Sequence, residues 1–552
     1  MTPARASSIG EARDRHRPHR ASGRDVACRL LATDAPWCDD RRVSRTGALD
    51  RLSSLAGVGP AIALLAVGLL ALLGWAPHLP DSLWLDETLT AWVVGDGLGD
   101  AIHRSLHYQP QPGYFVFVWL WTRVAGASEV ALRLPSLLAA LAACVALARL
   151  GTLLTRDRET GWLAAVVLAS SWNLFRESVD ARSYMLGLLA AIGLAIALVR
   201  WLDAGRWRAA WAIGLLGATL PHLHLFFALI YPAFGAYAWL RWPVGGRDRR
   251  QVALVGGLLA LGALLFLPVA RMIVEQGGAY SFVPPPAWRS LFEVWAWGPP
   301  VAGLLFGLGV TGLMPRGAEG AEAAVPPADP APAIRRESRV LIGVWLLLPL
   351  FLLFAVSMAT DANVFLGRYL IPAIPAVALV YAMALRAIPS ARARVAAVAV
   401  VVLAAFVSHE RPPDDFRGAA AAVSDWVGED ASVPVLFASG LVEGEDERWL
   451  RDPQRAAYLN SPATVYPIAG RLIAIPRRIS GHPLGAGIVD PVLRDARRFA
   501  AIEWFGNGAR VLPWLVQRAE AAGYRVERRG FGGVRVAFFD APRGKTRRSR
   551  AR

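Results

Sequence analysis

Residues 341–358 read LIGVWLLLPLFLLFAVSM, eighteen positions without one charged side chain. A helix needs about 20 apolar residues to cross roughly 30 Å of hydrocarbon, so this stretch predicts a membrane span. Ala61–Trp75 and Val252–Ala270 have the same character. Windows of this kind recur along most of the 552 residues, 55% of which are hydrophobic and only 18% charged. A soluble chain carries about a quarter charged residues. One membrane domain therefore accounts for most of the length.

The formal net charge is +16. The arginines fall in short runs between the apolar windows, the arrangement that orients a membrane protein, and this argues against nucleic acid as a partner. With Arg41–Arg51 on the cytoplasmic side of a first span near Gly57–His78, the loop Pro80–Pro112 faces outward. Segment Gly113–Ala125 is short and aromatic. It is expected to lie along the outer interface, because a crossing there would move Arg149, Arg156 and Arg158 outside. Alternation from Val130–Leu154 to Val395–Val407 then gives about eleven spans and an outward C-terminus.

The expected organisation is a disordered basic tail over 1–52, a transmembrane domain over 53–409, an extracytoplasmic α/β domain over 410–541 and a second basic tail over 542–552. The three cysteines, Cys28, Cys38 and Cys144, all precede the last domain, so no disulfide braces it. In that domain Asp415–Val427, Glu447–Leu459 and Ala509–Ala522 read as helices. Val433–Ala438, Leu472–Ile475, Ala500–Trp504, Tyr524–Arg528 and Gly533–Phe539 read as strands. It contains no phosphate-binding glycine motif and no clustered metal-ligand motif, which suits a scaffold or an acceptor-recognition module.

Chemistry concentrates in the first outward loop. Asp86 and Glu87 adjoin in Trp84-Leu85-Asp86-Glu87-Thr88, followed by His103, His107 and Tyr108-Gln109-Pro110-Gln111-Pro112-Gly113-Tyr114. A carboxylate at a membrane surface serves as a general base when its pKa suits the task. On spacing alone it is equally a helix-start residue. By topology Arg176, Glu177, Asp180, Arg182 and Tyr184 reach the same leaflet, as do His222, His224, Arg368 and Tyr369. Charges at such positions also mark span ends by snorkelling. His222 and His224 are two residues apart and fall on different sides of a helix, which disfavours a joint metal site.

Four stretches in this order resemble the GT-C superfamily of membrane glycosyltransferases, in particular the family 39-like group with protein O-mannosyltransferases and aminoarabinose transferases. They are Asp86-Glu87, the interfacial segment with Glu129-Val130-Ala131-Leu132-Arg133-Leu134-Pro135-Ser136, Ala181-Arg182-Ser183-Tyr184, and Arg368-Tyr369-Leu370-Ile371-Pro372-Ala373-Ile374-Pro375. The resemblance spans roughly residues 55–410. It implies a polytopic all-α GT-C-like domain, and the Ala-, Arg- and Trp-rich composition suggests a GC-rich bacterial genome and hence a bacterial plasma membrane. The resemblance also implies a polyprenyl-phosphate sugar donor and an extracytoplasmic acceptor, with an acidic residue of the first loop as base: Asp86 first, Glu87 second. Arg182 and Arg368 are the candidates for the donor phosphate, with His107, Tyr114, Tyr184, His222 and Tyr369 as further substrate-binding candidates. The cofactor is unknown. Some such enzymes use a divalent metal and others do not, and no metal ligand is assigned here. Relatives often carry His-Pro-Pro-Leu where this chain has Gln109-Pro110-Gln111-Pro112-Gly113, which bears on donor or acceptor detail. A transporter or flippase of lipid-linked glycans is the alternative, and a catalytically silent assembly protein a third reading.

Overall fold

The computed structural model describes residues 57–243, 246–276, 285–293, 297–313, 334–360, 363–409, 414–477, 483–505 and 511–542. The expected tail over 1–52, most of the linker after Leu313 and the basic end from 543 lie outside them.

The apolar windows form helices. Among the described residues, seven are long and apolar enough to cross a membrane: Pro60–His78, Glu129–Thr155, Tyr184–Ala204, Arg249–Glu275, Arg336–Ala359, Gly367–Arg386 and Ala391–Ser408. Leu225–Leu240 and Gly298–Thr311 are shorter apolar helices. The remaining predicted spans correspond to Arg158–Ala169 with Trp172–Ser178, and to Trp207–Leu223. The chain is a multi-pass membrane protein. Segment Pro112–Ala125 forms one helix of 14 residues. At 1.5 Å per residue it extends about 21 Å, short of the hydrocarbon thickness.

Side-chain caps fix where helices begin. Ser128 Oγ accepts from Ala131 N, Ser171 Oγ from Leu174 N and Ser390 Oγ from Ala393 N, each satisfying a donor that the first turn leaves orphaned. Pro135 stands inside Glu129–Thr155 and has no N–H for the carbonyl one turn earlier. That carbonyl, Ala131 O, accepts instead from Trp121 Nε1 at 2.7 Å, which ties the short helix Pro112–Ala125 to the long one.

Charge separates to the two ends of the helices. At one end Asp157 pairs with Arg386 at 2.8 Å and Glu159 with Arg394 at 2.7 Å, and Glu159 also accepts from Val58 N. At the other end Glu87 pairs with Arg133, and Arg368 with Asp86. Arg368 and Arg386 lie 18 positions apart on one 20-residue apolar stretch. That separation, about 27 Å of helix, is close to one hydrocarbon thickness.

The C-terminal region is a five-stranded mixed sheet in the order β2-β1-β3-β5-β4. Its strands are β1 Pro434–Ala438, β2 Arg471–Ala474, β3 Arg498–Trp504, β4 Arg525–Phe531 and β5 Val534–Asp540. β1 runs parallel to β2 and β3, while β5 runs antiparallel to β3 and β4. All five residues of β1 are buried because both faces of the sheet are covered. Val435, Phe437, Ile502 and Phe538 join a cluster with Leu83, Trp84 and Leu89 of the membrane domain. Leu436, Ala501 and Phe539 point the other way, to helices Pro483–Asp495 and Val511–Ala521.

Every predicted strand forms, with ends shifted by up to three residues. The predicted helix Glu447–Leu459 divides into Glu447–Arg451 and Pro453–Leu459. Pro453 cannot continue the first helix, and Asp452 caps the second. Helix Pro483–Asp495 was not expected, since its glycines and Pro491 obscure the helical period.

Candidate active site

Asp86 and Glu87 sit in the first turn of helix Leu85–Val94. Neighbours on a helix point about 100° apart, and the two carboxylates have different fates. Glu87 turns inward and is fully buried. Its oxygens accept from Arg133 Nε at 2.7 Å, from Ala181 N at 2.8 Å and from Trp84 N at 3.1 Å. The Arg133 guanidinium also donates to the carbonyls of Leu79 and Ser82. Glu87 thus closes the start of its own helix and binds it to helix Glu129–Thr155 and to the bend before Tyr184–Ala204. It does not line the cavity described next.

Asp86 faces a cavity of about 1330 Å³ between the membrane helices and the sheet domain. Arg368 Nη1 donates to its Oδ2 at 3.0 Å. Arg182 Nη2 stands 4.0 Å from the same oxygen, and Arg182 Nη1 donates to the Asp86 carbonyl at 3.1 Å. The Nε–H of both arginines is buried without a hydrogen-bond partner. A buried donor left unpaired costs free energy, and two of them on adjacent cations mark a place for an anion. Glu177 lines the same region, 4.0 Å from Arg176.

The cavity has two further walls. Ile273, Leu352, Leu353, Val356, Phe226 and Leu229 line an apolar side. Leu352 there is 41% exposed. The roof comes from the sheet domain: Asp414, Gly440, Glu443, Tyr458 and Trp504. Gly440 has φ +85°, and a Cβ there would come within 2.4 Å of the Trp504 ring. Glycine is what lets the loop after β1 lie against that indole.

Of the expected substrate-binding residues, Tyr184 and Tyr369 line the cavity with Arg182 and Arg368. Three do not converge on it. His107 is exposed and stacks on His103, with ring centroids 4.1 Å apart. Tyr114 packs in the core against Phe115. His222 meets the Gly262 carbonyl at 3.0 Å on a neighbouring helix. His224 replaces it. Helix Trp207–Leu223 ends just before this residue, whose backbone is extended. It lines the cavity with its ring 4.6 Å from that of Tyr184. The two-residue spacing was the available sign that the two histidines diverge. The roof residues left no motif.

The unusual Gln109-Pro110-Gln111 has a defined use. Gln109 Nε2 donates to Tyr458 Oη of the sheet domain at 3.0 Å, and Gln111 Oε1 accepts from Ser183 Oγ, beside Arg182, at 2.9 Å. Among the described residues no group of three or more His, Cys, Asp or Glu side chains is placed to hold a metal. The carboxylates Asp86 and Glu177 face guanidinium groups, a donor set that suits an anion.

Fold and site together define a multi-pass membrane protein with a part-charged, part-apolar cavity under an α/β roof. Two similar solved structures are ArnT from Cupriavidus metallidurans in the apo state and ArnT from the same organism bound to undecaprenyl phosphate. The first shares 13% identity over 86% of this chain and 97% of that chain, with a TM-score of 0.46. The second shares 12% identity over 90% and 99%, with a TM-score of 0.47. No family model matches the sequence, and no curated protein matches it.

Proposed function

We propose that the chain is a membrane glycosyltransferase that moves a sugar from a polyprenyl-phosphate donor to an extracytoplasmic hydroxyl acceptor, whether lipid, glycan or protein. The observation that carries this is the double character of the cavity. Arg182 and Arg368 each have an unpartnered Nε–H at one side, and leucine, isoleucine, valine and phenylalanine side chains form another. A phosphate on a long isoprenoid chain needs both at once. The ordered GT-C-like motifs in the sequence supply the same reading independently.

In the reaction the acceptor oxygen attacks the anomeric carbon of the donor sugar. The new C–O bond forms as the bond to the phosphate oxygen breaks. The bonding pair leaves with the phosphate, and the acceptor's proton passes to the Asp86 carboxylate. Arg182 and Arg368 hold the donor phosphate and stabilise the charge that grows on it by charge-assisted hydrogen bonds. Arg368 already touches Asp86, so one guanidinium keeps base and leaving group in register. Tyr184, Tyr369 and His224 line the donor side.

The test is transfer of a radiolabelled sugar from polyprenyl phosphate to acceptor in proteoliposomes, read beside binding of the unglycosylated polyprenyl phosphate. Arg182→Ala and Arg368→Ala should each weaken that binding about tenfold or more, the scale of a lost hydrogen bond to a charge. Lipid-linked sugar crossing the bilayer without transfer would instead favour the transporter.

The active face and the sheet domain lie outside the cell in this reading. Gly99 and Ser432 are exposed, as is Arg158 toward the opposite end. Gly99→Cys and Ser432→Cys should react with an impermeant thiol reagent in intact cells, while Arg158→Cys is protected. Labelling of Arg158→Cys from outside would reverse the topology.

A further inference from the structure

The roof of the cavity contains a carboxylate that the proposed transfer does not use. Glu443, in the turn Val442–Glu445 after β1, lines the same space as Asp86. Its Oε1 accepts from Tyr458 Oη at 3.2 Å, while Oε2 is buried without a hydrogen-bond partner. Burial pushes this carboxyl above the usual carboxylate range, and the charge of Asp86 adds to the effect. The two carboxylates therefore share one compartment, one from each domain.

The surroundings of Glu443 are aromatic. Trp504 of β3 and Trp84, just before the Asp86 helix, lie with ring centroids 6.5 Å apart, tilted by 41°. Both line the cavity, as do Tyr458 and Tyr108, which stack at 5.4 Å. Gln109 joins this group through its bond to Tyr458. Aromatic surfaces beside carboxylate and amide groups suit a ligand that presents C–H faces and hydroxyl edges together. A sugar ring has that pattern. A lone seryl or threonyl side chain offers one hydroxyl and too little apolar face for four rings.

We infer that the sheet domain completes the acceptor subsite and that the acceptor's reacting end is a carbohydrate. Glu443 accepts a hydrogen bond from one of its hydroxyls, and Trp84 and Trp504 bound the space its ring occupies. This rests on the glycosyltransferase reading above. Glu443 is a specificity-determining residue that positions the acceptor, and Asp86 remains the base.

The experiment uses the full chain in nanodiscs. Tryptophan fluorescence is titrated with methyl glycosides, N-acetylglucosamine oligomers and a Ser/Thr-rich peptide, and polyprenyl phosphate binding is followed separately by thermal shift. Saccharides should give a saturable change and the peptide none. Glu443→Gln should weaken saccharide binding about tenfold or more, and Glu443→Asp less, with the polyprenyl phosphate shift retained in both as the sign of an intact fold. Saturation by the peptide alone, by no saccharide at millimolar concentration, or with equal affinity in wild type and Glu443→Gln would each overturn the inference. Loss of polyprenyl phosphate binding by the wild type would instead sink the glycosyltransferase reading.

Discussion

Asp86→Asn should lower sugar transfer by about 10²–10⁴-fold, the usual contribution of a positioned general base, while leaving donor binding close to normal. Asparagine keeps the shape and can still accept from Arg368, which holds Asp86 at 3.0 Å. It cannot take the acceptor's proton. The loss should therefore appear in the chemical step under single-turnover conditions, with thermal stability near that of the wild type. Glu87→Gln gives the contrast: its carboxylate is enclosed by Arg133, Ala181 N and Trp84 N, so a folded Glu87→Gln protein should still transfer. Near-normal turnover by Asp86→Asn would remove it as base. An inactive but stable Glu87→Gln would move the role one residue along, and full transfer by both variants would remove both carboxylates as base.

Arg133→Met should be the most damaging single change to stability. Arg133 and Glu87 are both fully buried, and removing one member of such a pair leaves an uncompensated charge, at about 3–5 kcal/mol. The carbonyls of Leu79 and Ser82 lose their donor in the same step. The expected outcome is a sharp fall in the yield and melting temperature of detergent-solubilised protein. The double variant Glu87→Gln/Arg133→Met should recover part of the loss, because the orphaned charge is gone while an amide oxygen still faces Ala181 N. A single variant as stable as the wild type would show that the pair contributes little. A double variant no better than the single would show that the lost carbonyl contacts, not the charge, dominate.

Much of the architecture is set by composition and period. Lipid cannot hydrogen-bond a peptide group, so a long uncharged run has only a helix open to it, and the predicted spans are helical. Alternation within β1 and β3 assigns Val435 and Ile502 to one face and Leu436 and Ala501 to the other, a period of two that is readable along the chain. The gathering of Asp86, Arg182 and Arg368 at one end of the bundle was also anticipated, because alternation of spans places them there.

What the sequence determined by itself was the membrane class, the α/β character of the last domain and the end of the bundle where charge gathers. Tertiary structure alone decided which of those charges face a common space. A helical step turns the next side chain by about 100°, so Asp86 meets the cavity while Glu87 meets Arg133. The end of a helix at Leu223 sends His222 to Gly262 and leaves His224 beside Tyr184. The roof is the extreme case: Glu443 and Trp504 lie more than 350 positions from Asp86 and meet its cavity because one face of the sheet packs on the Asp86 helix. Period and composition report each residue's local preference, whereas contact between distant residues depends on how whole faces pack.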